Sequence, residues 1–148
     1  MTNSNDVSVL NGLIKTTLDS MKGYEDAAKD AESTQYATIF ADFARDRAKV
    51  ATDLQNQVRA LGGEPELDSS MLAAAHRTFM DLKQAITGKD DKAIIQEVER
   101  GEDHIKGKFE DAMKDGDLSA DTRSAITEAF GSVREGHDKM SALKHSVA

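Results

Sequence analysis

Carboxylates and histidines do the metal and proton chemistry of helical proteins, and their densest run here is Glu97-Val-Glu-Arg-Gly-Glu-Asp-His104. The run sits inside an apolar stripe of Ile95, Val98, Glu102, Ile105, Phe109 and Ala112. The stripe steps 3, 4, 3, 4, 3, so Glu102 falls on the buried seam of a helix. A carboxylate buried without a partner is strongly disfavoured, so something must meet it. A di-iron centre in a helical bundle takes one Glu from each of two helices and Glu-x-x-His from each of the other two. That pattern is absent. Three residues before His76, His104, His137 and His145 stand Ala73, Gly101, Arg134 and Ala142. A non-classical metal site of Glu99, Glu102 and His137 stays open. The competing reading is a buried polar network in which Arg47, on the seam of another helix, pairs with Glu102. Asp19, Tyr24 and His137 would complete it. His137 reads first as a hydrogen-bonded core residue and second as a ligand.

The elements that must position these groups are helices. Asp6 or Ser8 caps the first, whose stripe is Leu10, Ile14, Thr17, Met21, Tyr24, Ala28 and Ala31. Ser33 or Thr34 caps the second, which carries Tyr36, Phe40, Phe43, Arg47, Val50, Leu54, Val58 and Leu61. Gly62-Gly63 and then Pro65 stop it. A shorter helix follows Asp68-Ser69-Ser70 and bears Met71, Leu72, Ala75, Phe79, Leu82 and Ile86. The helix holding Glu102 runs from about Asp90 to Lys114, within the usual slack on helix ends. Ser119 opens the last helix, with a stripe of Ile126, Phe130, Val133, His137, Met140 and Lys144. Gly101 and Gly136 each precede a seam polar residue, and close helix approach is the expected reason for them.

Two long hairpins, 6–61 and 90–146, therefore flank a crossover segment, 62–89, with its own short helix. At ~1.5 Å per residue that segment can cross a bundle about 40 Å long. The expectation is one domain, 1–148: an all-α, ferritin-like four-helix bundle of two hairpins joined by a crossover. With both hairpin turns at one end, Arg47 and Glu102 lie about 13 and 15 residues from their turns and share a layer. Asp19 is near that level and His137 lies deeper. Gly23-Tyr-Glu-Asp-Ala-Ala-Lys-Asp30 and Lys108-Phe-Glu-Asp-Ala-Met-Lys-Asp115 match closely, and each ends the first helix of a hairpin.

Leu10-Asn-Gly-Leu-Ile14, Gly23-Tyr24, Leu61-Gly-Gly-Glu-Pro65, His76-Arg77, Leu82-Lys83, Thr87-Gly88, Glu99-Arg-Gly-Glu-Asp103 and His137-Asp138 follow one another in order. Together they resemble a bacterial ferritin-like four-helix-bundle family of unknown function. The resemblance spans nearly the whole chain. It implies the fold and brings no activity with it.

Composition narrows the functions. The 148 residues include no cysteine, which excludes disulfides, thiolate zinc sites, iron–sulfur clusters and cysteine nucleophiles. A net charge of −8, with bases and acids interleaved along each helix, argues against nucleic acid and anionic membrane as partners. No apolar run is long enough to span a membrane. The N-terminus lacks the basic-then-apolar layout of a signal peptide, so the expected setting is soluble and cytoplasmic. No phosphate loop or nucleophile elbow is present. The leading reading is a non-catalytic bundle, not an enzyme, without a cofactor, which binds a protein partner or itself. The alternative is an unconventional metal-binding relative of ferritins that uses seam carboxylates and His137. An enzyme or small-ligand carrier using the inter-helix core is the third.

Overall fold

The computed structural model describes residues 2–67 and 91–146, with side chains from residue 4. The described residues form four helices: α1 (Thr2–Asp30), α2 (Thr34–Ala60), α3 (Asp91–Met113) and α4 (Ala120–Ser146). The short helix expected after Asp68 lies outside the described residues, as do Met71, His76 and Met80. Helix α1 packs on α2 and α3, and α4 packs on α3 and α2. The pairs α1–α4 and α2–α3 therefore face each other across the diagonals.

The ends of the helices are fixed by local chemistry. Ser33 caps α2 with extended backbone and accepts from the Tyr36 N–H. At the other end of α2 the Gly63 N–H bonds Val58 O at 3.0 Å and the Gly62 N–H bonds Arg59 O at 2.9 Å. This is a Schellman closure, and Gly62 takes the left-handed conformation it needs, φ 82°. Gly63 is required for space, since a Cβ there would lie 2.7 Å from a Val7 methyl on α1. Helix α1 begins before Asp6, so Asp6 is not its cap. Asp6 is instead fully buried and accepts from Ser119 Oγ (2.6 Å), Thr122 Oγ1 (2.8 Å) and the Ser119 N–H (3.3 Å). It ties the start of α1 to the start of α4.

A second tie closes the opposite end. Asp91, the first residue of α3, accepts from the Glu32 and Ser33 N–H groups in the α1–α2 turn, at 2.8 and 3.1 Å. The α1–α2 turn thus neighbours the start of α3, whereas the α3–α4 turn neighbours the start of α1. The two turns lie at opposite ends of the bundle, not at one end. The shared layer of Arg47 and Glu102 survives this correction because both stand near the middle of their helices. The chain around Glu64 and Glu66 is held against α1 by Asn11, which donates to Glu64 O and accepts from the Glu66 N–H.

The core falls into two apolar clusters. One gathers Leu10, Ile14, Leu54, Val58, Ile105, Phe109, Ile126 and Val133. The other gathers Tyr24, Phe40, Phe43, Ile95, Val98 and Met140. On α4 the buried line is Thr122, Ile126, Ala129, Val133, Gly136 and Met140. The expected stripe is corrected at two steps, where Ala129 and Gly136 face inward in place of Phe130 and His137. Small residues carry little hydrophobic signal, and here the space they leave is what the core uses.

Candidate functional site

Arg47 and Glu102 form a salt bridge from Arg47 Nη2 to Glu102 Oε1, each residue 1% exposed. The pair spans the diagonal from α2 to α3 and separates the two apolar clusters. Arg47 Nε donates to Ser20 Oγ on α1 at 3.3 Å. The guanidinium carbon stands 5.7 Å from the centre of the Tyr24 ring, a cation–π distance. Tyr24 in turn stacks on Phe43 with centroids 5.0 Å apart. Three helices thus supply the shell of one arginine.

The fourth helix supplies room. A Cβ on Gly136 would lie 2.7 Å from Arg47 Nη2, 3.4 Å from Glu102 Oε1 and 3.4 Å from the Phe43 ring. Gly136 is needed for the arginine head, not for the approach of a helix backbone. Gly101 has no such reason, since nothing lies within 4 Å of a Cβ placed there. Ser20 gives no warning in the sequence, and Gly136 is marked there by its place inside a helix but not by what it makes room for.

Tyr24 is 2% exposed and its hydroxyl has no well-aligned hydrogen bond. Burial, and then the Glu102 carboxylate, push its phenol well above the ordinary 10, with Arg47 acting in the opposite direction. The ring therefore stays neutral beside the ion pair. Asp19 is half-buried on α1, next to Ser20.

His137 stands outside this layer. Its Nε2 lies 2.6 Å from Asp103 Oδ1, on the flank where α3 meets α4. Glu99, Asp103 and His137 each offer one ligand atom, all within 4.8 Å of one another. Of the trio expected as a metal site, Glu99 and His137 are together, while Glu102 points inward to Arg47 and Asp103 stands in its place. The i, i+4 spacing of Glu99 and Asp103 puts both on one face of α3. His104 and His145 are exposed, and His145 Nδ1 is 2.8 Å from Ser141 O on its own helix.

Between α2 and α4 runs a groove of about 490 Å³, floored by Val50, Ala125, Ala129 and Gly136. Its rim mixes Asp46, Asp53, Glu128 and Glu135 with Lys49 and Lys139. No described helix is long and apolar enough to cross a membrane.

No curated protein matches the chain significantly. The family match covers the first hairpin, 6–61, and all of α3, holding Arg47 and Glu102 but ending before Gly136 and His137. With residues 5–115 matched to the model of a domain of unknown function, DUF2383, the chain belongs to that family.

Proposed function

We propose that this is a non-catalytic bundle whose interior sets register and whose outer surface does the work, through self-association or a protein partner. The supporting observation is Arg47. A bundle enzyme of the carboxylate type lines its central layer with anions that hold metal. Here the central layer holds a cation, Arg47, and its charge is matched by the buried carboxylate of Glu102. The ferritin-like layout belongs to the same proposal. Glu64 and Glu66 sit against the first turns of α1, while Asp91 sits at the far end, and a lengthwise crossover would join them. So does a soluble, cytoplasmic setting, for which the net charge of −8 is favourable.

The groove between α2 and α4 is the surface best suited to contact. Its small floor residues admit the close approach of another helix, and its mixed rim would orient one. The test is sedimentation velocity from micromolar to millimolar chain, with and without Ser132→Arg in the exposed part of the groove. Growth of mass with concentration, abolished by Ser132→Arg at unchanged Tm, is expected for self-association. A chain that stays monomeric throughout leaves a different protein as the partner. A small molecule found bound between the helices and turned over there would overturn the non-catalytic reading.

A further inference from the structure

The geometry points to a divalent-cation site at Glu99, Asp103 and His137, on the α3–α4 flank and separate from the Arg47–Glu102 layer. Two of the three side chains are sheltered and one is open: Glu99 is 13% exposed, His137 14% and Asp103 59%. That gradient leaves a solvent-facing side for entry and for water as a further ligand. One imidazole with two carboxylates suits zinc and its first-row neighbours better than calcium, which takes oxygen alone.

The far side of the imidazole is an independent observation. His137 Nδ1 is buried and has no hydrogen-bond partner, and Asp138 Oδ1 lies 3.6 Å from it. A metal-bound histidine characteristically gives its second ring N–H to a carboxylate, which fixes the tautomer and orients the ring. Asp138 stands where that acceptor would be, and a small shift of its carboxylate would close the bond. Without metal the 2.6 Å contact places the hydrogen on Nε2, which donates to Asp103; a cation would replace that bond as the hydrogen passes to Nδ1, leaving the Nε2 lone pair to the metal.

Lys144 occupies the site's charge in the absence of metal. Its Nζ lies 3.2 Å from Glu99 Oε1, and its side chain is 42% exposed, so it can swing into solvent. A cation arriving at Glu99 exchanges one ammonium contact for a metal bond. No atom of the core need move, since Glu102 faces the opposite way.

The test uses the full chain without an affinity tag and Zn2+ alone, by isothermal titration, with Mn2+ as a paramagnetic probe in amide NMR spectra. One Zn2+ per chain is expected. His137→Ala and Asp103→Ala should each weaken it by more than the ~10–100-fold typical of an outer-shell partner. Asp138→Ala should fall within that outer-shell range. Lys144→Met should tighten binding by up to about fivefold, the worth of an exposed ion pair. His104→Asn, one residue from Asp103 but exposed, should leave it unchanged. Mn2+ should broaden the amides around 99, 103 and 137 in the unaltered chain, a readout that needs no variant to fold. Absence of Zn2+ binding overturns the proposal, as do binding kept in His137→Ala, binding lost in His104→Asn, or broadening centred on the α2–α4 groove.

Discussion

At Arg47 and Glu102 the physical argument turns on what each charge would face alone. Both are taken almost wholly from water, so desolvation costs several kcal/mol per ion, and their mutual attraction offsets most of it. Arg47→Ala or Glu102→Ala should each lower stability by about 3–5 kcal/mol in urea melts, because the survivor is a buried, unpaired charge. Replacing both with Met or Leu should recover most of that loss, and a double-mutant cycle should report strong coupling. Purely additive losses would show that the pair contributes as two separate residues. Glu102 was legible from its step pattern alone, since it fills the inward position between Val98 and Ile105. Of the groups around Arg47 on the other helices, Glu102 and Tyr24 were named from the sequence, whereas Ser20 and the role of Gly136 were not. Ser20 contributes a hydroxyl and Gly136 contributes an absence of atoms, and neither leaves a mark on a hydrophobic pattern.

Each described helix was visible in the sequence through its period, although the start of α1 was misplaced at Asp6 or Ser8, and the stripe of α4 was misread for a single reason. On α4 the large side chains Phe130 and His137 drew the stripe one residue off line, although the inward positions are Ala129 and Gly136. Phe130 instead stacks on Phe109 from the side, with centroids 6.4 Å apart. The two glycines beside seam polars look alike in sequence and should behave oppositely. Gly101→Ala should stabilise by about 0.5–1 kcal/mol, since a helical alanine orders the unfolded chain and meets nothing. Gly136→Ala should destabilise by ~1–3 kcal/mol, because the methyl displaces an arginine locked in its pair. Thermal melts of the two variants decide this. At the start of α1, burial of Asp6 opposes its charge, but the Ser119 and Thr122 hydroxyls and the Ser119 N–H outweigh that and hold its carboxyl below the ordinary 3.8. Its contribution is therefore complete above that value and lost as pH falls through the lower, folded one. Asp6→Ala should cost about 1–3 kcal/mol at neutral pH, through donors left unmet. The gap to the unaltered chain should shrink below pH 3.8.

Across the whole molecule the two hairpins share a plan. The matched octapeptides place Tyr24 and Phe109 in the core, and Ala27 and Ala112 beside them. Turns at opposite ends make α1 the counterpart of α3. Seven residues before each aromatic stand Thr17 and Glu102, both buried. Thr17 satisfies itself on its own helix by donating to Leu13 O at 2.7 Å. Glu102 cannot, and must reach the other hairpin. Among the described residues this fully buried ion pair between the halves therefore exists once in a layout that occurs twice, and it works as a mark of parentage. A chain carrying Arg47→Glu and another carrying Glu102→Arg each lack it, yet the first hairpin of one and the second hairpin of the other would restore it with charges reversed. Tethered hairpins meet at effective concentrations near millimolar, so at micromolar protein each should stay with its own sibling. The equimolar mixture is then expected to melt as its two parents do. A melt restored toward that of the unaltered chain, with the mass of a two-chain species, would reveal that neighbouring molecules trade halves.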